Sequence, residues 1–249
     1  MWRALLILLA LAIPAQAEEV VAGLSQDNIQ ITTNFDGSEI LVFGAVKRQA
    51  PLPEGDPLQV IVTVEGPKTP ITIRRKDKRF GIWVNNASVE VDEAPSFYSV
   101  ATSAPFENAV SAVEDLRHDI SIERAIRAVG LERADADKFI EALIRIKRSE
   151  DAYVNNYGGV ELTEETLFRT TIELPANLTE GDYKTRFFLT RGGSVLDIHE
   201  TTIDVRKVGL EQFLFNLSRQ QPLIYGLMSL AIAIAAGWLA SAAFRLIRV

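Results

Sequence analysis

Alternation of apolar and polar residues dominates the first hundred positions. Leu58, Val60, Val62 and Val64 fall on one side of an extended chain; Gln59, Thr63 and Glu65, joined by Ile61, fall on the other. That is the period of two that a strand imposes. Ile71 and Ile73 continue it. Phe80, Ile82 and Val84 form another alternating set with Trp83 opposite, and Val89 and Val91, then Tyr98 and Val100, mark two further short strands. Upstream, 29–33 and 39–46 are β-type runs on either side of the turn Asp36-Gly37-Ser38. The unbroken Ile40-Leu41-Val42-Phe43 reads as a central strand buried on both faces. Pro51, Pro53, Pro57, Gly66, Pro67, Pro70 and Pro95 punctuate these runs, as in an antiparallel sandwich.

The period lengthens after Ser103. Phe106, Val110, Val113 and Leu116 sit at helical spacing, as do Ile122, Ile126 and Val129, with Gly130 a C-terminal stop. Asp135 caps a third predicted helix, where Phe139, Leu143 and Ile146 form a stripe broadened by Ile140 and Ile144. Residues 104–152 are therefore expected to be a helical insertion. Alternation then returns at Phe168, Thr170, Ile172 and Leu174 and again at Tyr183, Thr185, Phe187 and Leu189. Leu178, Gly181 and Tyr183 are spaced as in the tyrosine corner of immunoglobulin-like sandwiches. Arg191-Gly192-Gly193-Ser194 is a hairpin turn. Apolar parity flips between Ile198 and Ile203, which predicts a bulge near Glu200 and puts His199 on the surface. The fold class expected is mostly β with a helical insertion: an immunoglobulin-like antiparallel β-sandwich over 18–207.

Both ends of the chain carry a different pattern. From Leu223 to Phe244 no residue is charged, and Arg245 and Arg248 follow. Those 22 residues make about 33 Å of helix, enough to cross a bilayer core. Residues 222–244 are thus expected to span a membrane, preceded by an amphipathic juxtamembrane helix over 208–221 and followed by a tail, 245–249. The apolar face of the juxtamembrane helix is Leu210, Phe213, Leu214 and Leu217. At the other end, Arg3, an apolar run over 4–13, Pro14 and Ala15-Gln16-Ala17 read as a signal peptide, 1–17, cleaved to leave Glu18 as the mature start. The two ends together predict a bacterial inner-membrane protein with one span, its N-terminal domain in the periplasm and Arg245 and Arg248 in the cytoplasm.

Charge and composition narrow the partners. All 33 acidic residues lie within 18–221, with 26 − 3 = 23 bases, so this region is near −10. That argues against nucleic acid and against electrostatic adhesion to anionic lipid. Cysteine is absent, so burial alone holds the domain.

Motifs for chemistry are scarce. There is no nucleophile elbow, Walker loop, dinucleotide fingerprint or HExxH pair, and the chain is read as non-enzymatic, with no cofactor and no metal. His118 neighbours Asp119 and Glu114, either a carboxylate-rich site or a solvated helix end. Arg74, Arg75, Lys76, Asp77, Lys78 and Arg79 form the densest charge cluster. It is either a solvated hairpin or a contact for an anionic ligand or lipid headgroups; Arg145, Lys147 and Arg148 carry the same two readings. Tyr153 and Tyr157, beside Asn155, Asn156, Gly158 and Gly159, line either a recognition loop or an ordinary turn. In the span, Ser229, Ala233, Gly237 and Ser241 recur every four residues, the spacing that lets another helix approach closely.

The segments Val20-Val21-Ala22-Gly23-Leu24-Ser25-Gln26, Ile31-Thr32-Thr33-Asn34-Phe35 and 39–46, with the closing Glu211-Gln212-Phe213-Leu214, Gln221-Pro222-Leu223-Ile224-Tyr225-Gly226 and Gly237-Trp238-Leu239-Ala240, resemble a family of alphaproteobacterial transmembrane proteins. The resemblance covers essentially the whole chain and brings no catalytic residues. It implies a neighbourhood with permeases of the sulfite-exporter type, and hence a role accessory to a polytopic membrane partner such as a sulfite or organosulfur anion permease. A homodimer through the membrane helix, a tethered small-anion binding module and an enzyme with an unrecognised active site are the other readings.

Overall fold

The computed structural model describes residues 18–48, 55–127 and 136–247. The 1–17 leader, Pro51, Pro53, the Gly130 stop and the Asp135 cap lie outside these residues. In chain order the strands are β1 (Glu19–Leu24), β2 (Asn28–Ile31), β3 (Ser38–Lys47), β4 (Leu58–Glu65), β5 (Lys68–Arg79), β6 (Ile82–Pro95), β7 (Tyr98–Thr102), β8 (Tyr153–Tyr157), β9 (Glu161–Thr163), β10 (Leu167–Leu174), β11 (Gly181–Arg191) and β12 (Ser194–Lys207). Helices α1 (Phe106–Ala109), α2 (Ala112–His118), α3 (Ile122–Ala125) and α4 (Ala136–Ser149) lie between β7 and β8; α5 (Leu210–Gln220) and α6 (Pro222–Ile247) close the chain. The fold is thus mostly β, in several antiparallel sheets, with a C-terminal helix long enough to span a membrane. Two compact units are present, one of residues up to 29 with 36–205, the other of 30–35 with 206–249.

Within the first unit, a four-stranded sheet ordered β1-β3-β10-β9 faces a six-stranded sheet ordered β2-β12-β11-β4-β7-β8. Phe168 of one sheet meets Phe187 of the other, ring centroids 6.1 Å apart. The doubly buried strand is β4, not β3. Val60, Ile61, Val62, Thr63 and Val64 are all fully buried, whereas Leu41 and Phe43 are 43% and 46% exposed and only Ile40 and Val42 turn inward. The reason is coverage. One face of β4 looks toward the four-stranded sheet; Ile61 on the other joins Val100, Tyr98, Phe188, Ala109, Ile120, Ile122, Leu143 and Ile144 in a core roofed by the helices.

The helical segment is the crossover that places β8 parallel to β7, Tyr98 opposite Tyr153 and Thr102 opposite Tyr157. A parallel pair needs a long connection, which these helices supply. An antiparallel arrangement throughout, expected from the turn spacing, therefore fails at this one edge. Tyr98 fastens the crossover, its hydroxyl donating to the carbonyls of Asp119 and Ile120, while the Arg186 guanidinium donates to those of His118 and Asp119.

Three expectations shift locally. The Phe106–Val110–Val113–Leu116 stripe is not one helix: Val110 is extended, and Ser111 starts α2 by accepting from the Glu114 amide, with Glu114 three residues on as in a capping box. Val113 and Leu116 are consequently exposed. In α4 the buried side chains are Ala136, Phe139, Leu143 and Ile144, while Ile146 is 48% exposed. In β12 the pairing irregularity falls at Leu196, between Leu189↔Asp197 and Thr190↔Val195, not near Glu200. Inward parity then runs unbroken to Val205, so Ile198 faces outward and His199 inward, 5.8 Å from the Phe187 ring. The expected corner is present: Tyr183, fully buried, donates to the Thr179 carbonyl at 2.9 Å. The immunoglobulin-like expectation is carried by that corner alone.

An ion-pair knot joins the two sheets where β1 begins. The Glu18 carboxylate lies 2.7 Å from Arg48 Nε, just after β3, and 2.8 Å from Arg191 Nη1 at the end of β11. Arg48 donates in addition to Thr166 Oγ1 and the Glu165 carbonyl. Burial pushes the Glu18 carboxyl up, but the hydrogen bonds and charges of Arg191 and Arg48 outweigh it and hold it below its ordinary value. A carboxyl lowered in the folded state contributes stability above its unfolded titration and loses it as pH falls through the folded value. Glu18→Gln is therefore predicted to lower the urea midpoint at pH 7, the deficit narrowing below about pH 4; an equal deficit at pH 7 and pH 3 rules out the ionic account. At Gly44 an added Cβ would stand 2.4 Å from Phe168 Cζ and 2.6 Å from the Val21 carbonyl oxygen. Backbone and a packed core ring both resist displacement, so Gly44→Ala is predicted to cost about 2 kcal/mol, read as a lower midpoint with unchanged denaturant slope.

Candidate functional site

β5 and β6 form a two-stranded ribbon of their own, with Lys68 opposite Pro95 and Arg79 opposite Ile82. The sequence pattern divides β6 into an 82–84 set and a Val89–Val91 strand; the structure makes it one 14-residue strand. The near half of the ribbon is covered. Ile71, Ile73 and Val91 pack on the main core, and Ala87, Val89 and Ile73 pack with Phe139 of α4. The Arg75 guanidinium lies 5.4 Å over the Phe139 ring. Beyond Arg75 a register shift adds Asn86 to β6, and from there the ribbon is exposed on both faces.

This outer half brings together most of the predicted basic cluster with an apolar tip. Arg74, Arg75, Lys78 and Arg79 are strand residues rather than loop residues. Lys78 is paired with Trp83 and Arg79 with Ile82. Paired residues share a face and adjacent pairs alternate, so each face of the tip carries one cation beside one apolar side chain. Phe80 and Gly81 make the turn with positive φ, 49° and 86°, the signature of a tight hairpin turn that prefers Asn-Gly. Phe80 is completely exposed, and Ile82 and Trp83 are 64% and 68% exposed. Arg79 donates to Asn86 Oδ1 at 3.2 Å, and Asn86 donates to Asp77 Oδ2 at 3.4 Å. The tip escapes a periodicity search because Phe80, Ile82 and Val84 alternate like core residues; the available signal is the Phe-Gly pair between two strands.

Tyr153 and Tyr157 are not in a loop but at the two ends of edge strand β8. Tyr153 is buried, its hydroxyl donating to the Pro95 carbonyl at 2.8 Å, and burial holds that hydroxyl well above its ordinary value. Tyr157 is 44% exposed and packs on Phe106. Beside β8 lies an open groove of about 620 Å³ whose charged lining residues are Asp36, Asp151 and Glu173. Its sign is wrong for an anion. Arg148 stands 3.7 Å from Glu123 and Lys147 3.9 Å from Glu150, a paired helix surface. His118 pairs with Glu114 at 3.2 Å, and no cluster of three metal-ligating side chains occurs among the described residues.

In the second unit, α6 begins at Pro222, a residue suited to the first helical turn. Its 222–243 stretch has a mean hydropathy of 2.0 and none of it is covered. Ser229 Oγ donates to the Tyr225 carbonyl at 2.9 Å, so its hydroxyl is satisfied within the helix. A Cβ at Gly237 would meet nothing. With Ala233 and Ser241, these positions give α6 a line of small residues at four-residue spacing. Phe213 and Phe215 of α5 are exposed, the Arg219 guanidinium lying over the Phe215 ring.

A protein-family model described as "Putative transmembrane protein (Alph_Pro_TM)" matches residues 19–246. No curated protein sequence matches. Among solved structures, the chain is similar to Spo0M, a sporulation control protein from Bacillus subtilis, at 12% identity and a TM-score of 0.28. The match covers 82% of this chain and 56% of that one, and at that score it carries no inference about this chain.

A Phe in the left-handed region costs about 1 kcal/mol that Asn or Gly largely avoids. Phe80→Asn is predicted to slow amide exchange at Arg79 and Ile82, the hydrogen-bonded pair that flanks the turn, about fivefold. Faster exchange in the variant would show that the Phe80 ring supports the turn.

Proposed function

The chain belongs to the Alph_Pro_TM family of transmembrane proteins, and on that premise we propose that it is a non-enzymatic, single-pass inner-membrane protein whose periplasmic domain serves a polytopic membrane partner. The observation that carries this reading is α6, an uncovered apolar helix with only short side chains at 229, 233, 237 and 241. Lipid satisfies its apolar surface; the small residues allow close approach of a second helix. The Arg245 and Arg248 flank favours a cytoplasmic C-terminus, and with it a periplasmic β domain. A sulfite or organosulfur anion permease is the partner the family resemblance favours. Tethered anion binding is the weaker reading, because the groove beside β8 is lined by carboxylates.

A photoreactive residue at Ala233 or Gly237 of the intact protein is expected to trap one defined membrane protein or a second copy of the chain. Adducts to lipid alone would remove the helix-pairing proposal. An alkaline phosphatase reporter fused after Val249 is expected to be inactive; an active one places the C-terminus outside.

A further inference from the structure

We propose that the outer half of the β5–β6 arm docks end-on onto an anionic phospholipid surface, with Phe80, Ile82 and Trp83 entering the interface and Lys76, Lys78 and Arg79 meeting the headgroups. The inference is independent of any partner of α6.

The first support is the arrangement of apolar groups. They are not a stripe on one face: Trp83 shares its face with Lys78, Ile82 shares the opposite face with Arg79, and Phe80 projects from the turn between them. A protein surface complementary to one face leaves the other apolar side chain in water. A bilayer interface surrounds the tip from every side. Tryptophan and phenylalanine with lysine and arginine behind them is the composition that settles at the headgroup boundary.

Charge supplies the second support. Residues 76–86, the outer half, carry three bases and one acid, net +2, on a region, 18–221, whose total is near −10. Everything else in that region therefore sums to about −12 and is repelled by an anionic surface. The arm is the local exception, and repulsion of the remainder favours contact through the tip alone. Each lysine or arginine near such a surface contributes about fivefold in affinity at moderate salt.

Backbone conformation supplies the third. Phe80 holds a φ of 49° with its ring wholly in solvent, so nothing within the domain compensates the left-handed position. Such a residue at an exposed apex points to a role outside the fold. Meanwhile Phe139, Ala87, Val89 and Ile73 clamp the base of the arm, so little order has to be created on docking.

The test exploits the absence of cysteine. Asn85→Cys, next to the tip and exposed, takes a single environment-sensitive fluorophore on the intact chain in phosphatidylcholine nanodiscs. Separate vesicles carrying a lipid-borne quencher are then added, and the protein is also placed in discs containing the quencher. Phosphatidylglycerol-dependent quenching in either arrangement is expected; the first reports a facing bilayer and the second the bilayer that holds the protein. Lys78→Ala should weaken it about fivefold, and Phe80→Ser with Trp83→Ser should abolish it while circular dichroism is unchanged. Equal quenching with phosphatidylcholine alone, or none in either arrangement, overturns the proposal. So does a crosslink from the thiol of the Asn85→Cys variant to a protein in native membranes without lipid quenching.

Discussion

The fold depends on covering both faces of β4. A strand whose every central residue is buried cannot stand at the wall of a two-layer sandwich; it needs apolar material above and below. The four-stranded sheet provides one cover. The helices α1 to α4 provide the other, and this is why fifty residues, 103–152, intervene between β7 and β8, and why those two strands run in the same direction. Tyr98 is the hinge pin of that solution. It lies in the sheet, fully buried, and binds the crossover by its hydroxyl, combining apolar area with a satisfied polar end.

The same helical roof decides where the arm begins to be free. Phe139 of α4 reaches the ribbon as far as Ala87 and Val89 and no farther. Beyond that point β5 and β6 have only each other, and an isolated hairpin is marginal in water. Ordinary design would make such a hairpin polar and give it an Asn-Gly turn. This one has apolar side chains at the turn and beside it, flanked by cations, so its composition answers to something outside the domain.

Much of the architecture was legible in the pattern of residues. The alternations in β10 and β11, the helical segment, the Tyr183 corner and the α6 span all stand where periodicity puts them. What failed has identifiable causes. Ile40 to Phe43 is the unbroken apolar run and Leu58 to Glu65 alternates, yet the second is the strand covered twice, because only the third layer, a tertiary fact, decides it. Ser111 and Glu114 override an apolar stripe through a local cap. Parallel pairing of β8 could not be read, because its partner is fixed by the crossover and not by its own five residues. At the arm, the basic cluster was visible and the apolar tip was not, since exposure is what distinguishes Phe80, Ile82 and Trp83 from core residues of the same spacing.

Strand order in the six-stranded sheet also sets an order of assembly. β4 sits between β7, a short distance downstream, and β11, which begins more than a hundred residues later. Contacts that span so much chain form slowly, because loop closure precedes any gain from pairing. Until β11 and β12 have been synthesised, the central strand has a bare edge and the six-stranded sheet is unfinished. Those two strands are the last before α5 and α6. The β domain is therefore completed only as α5 and α6 follow, and its maturation is tied in time to the emergence of the long apolar helix.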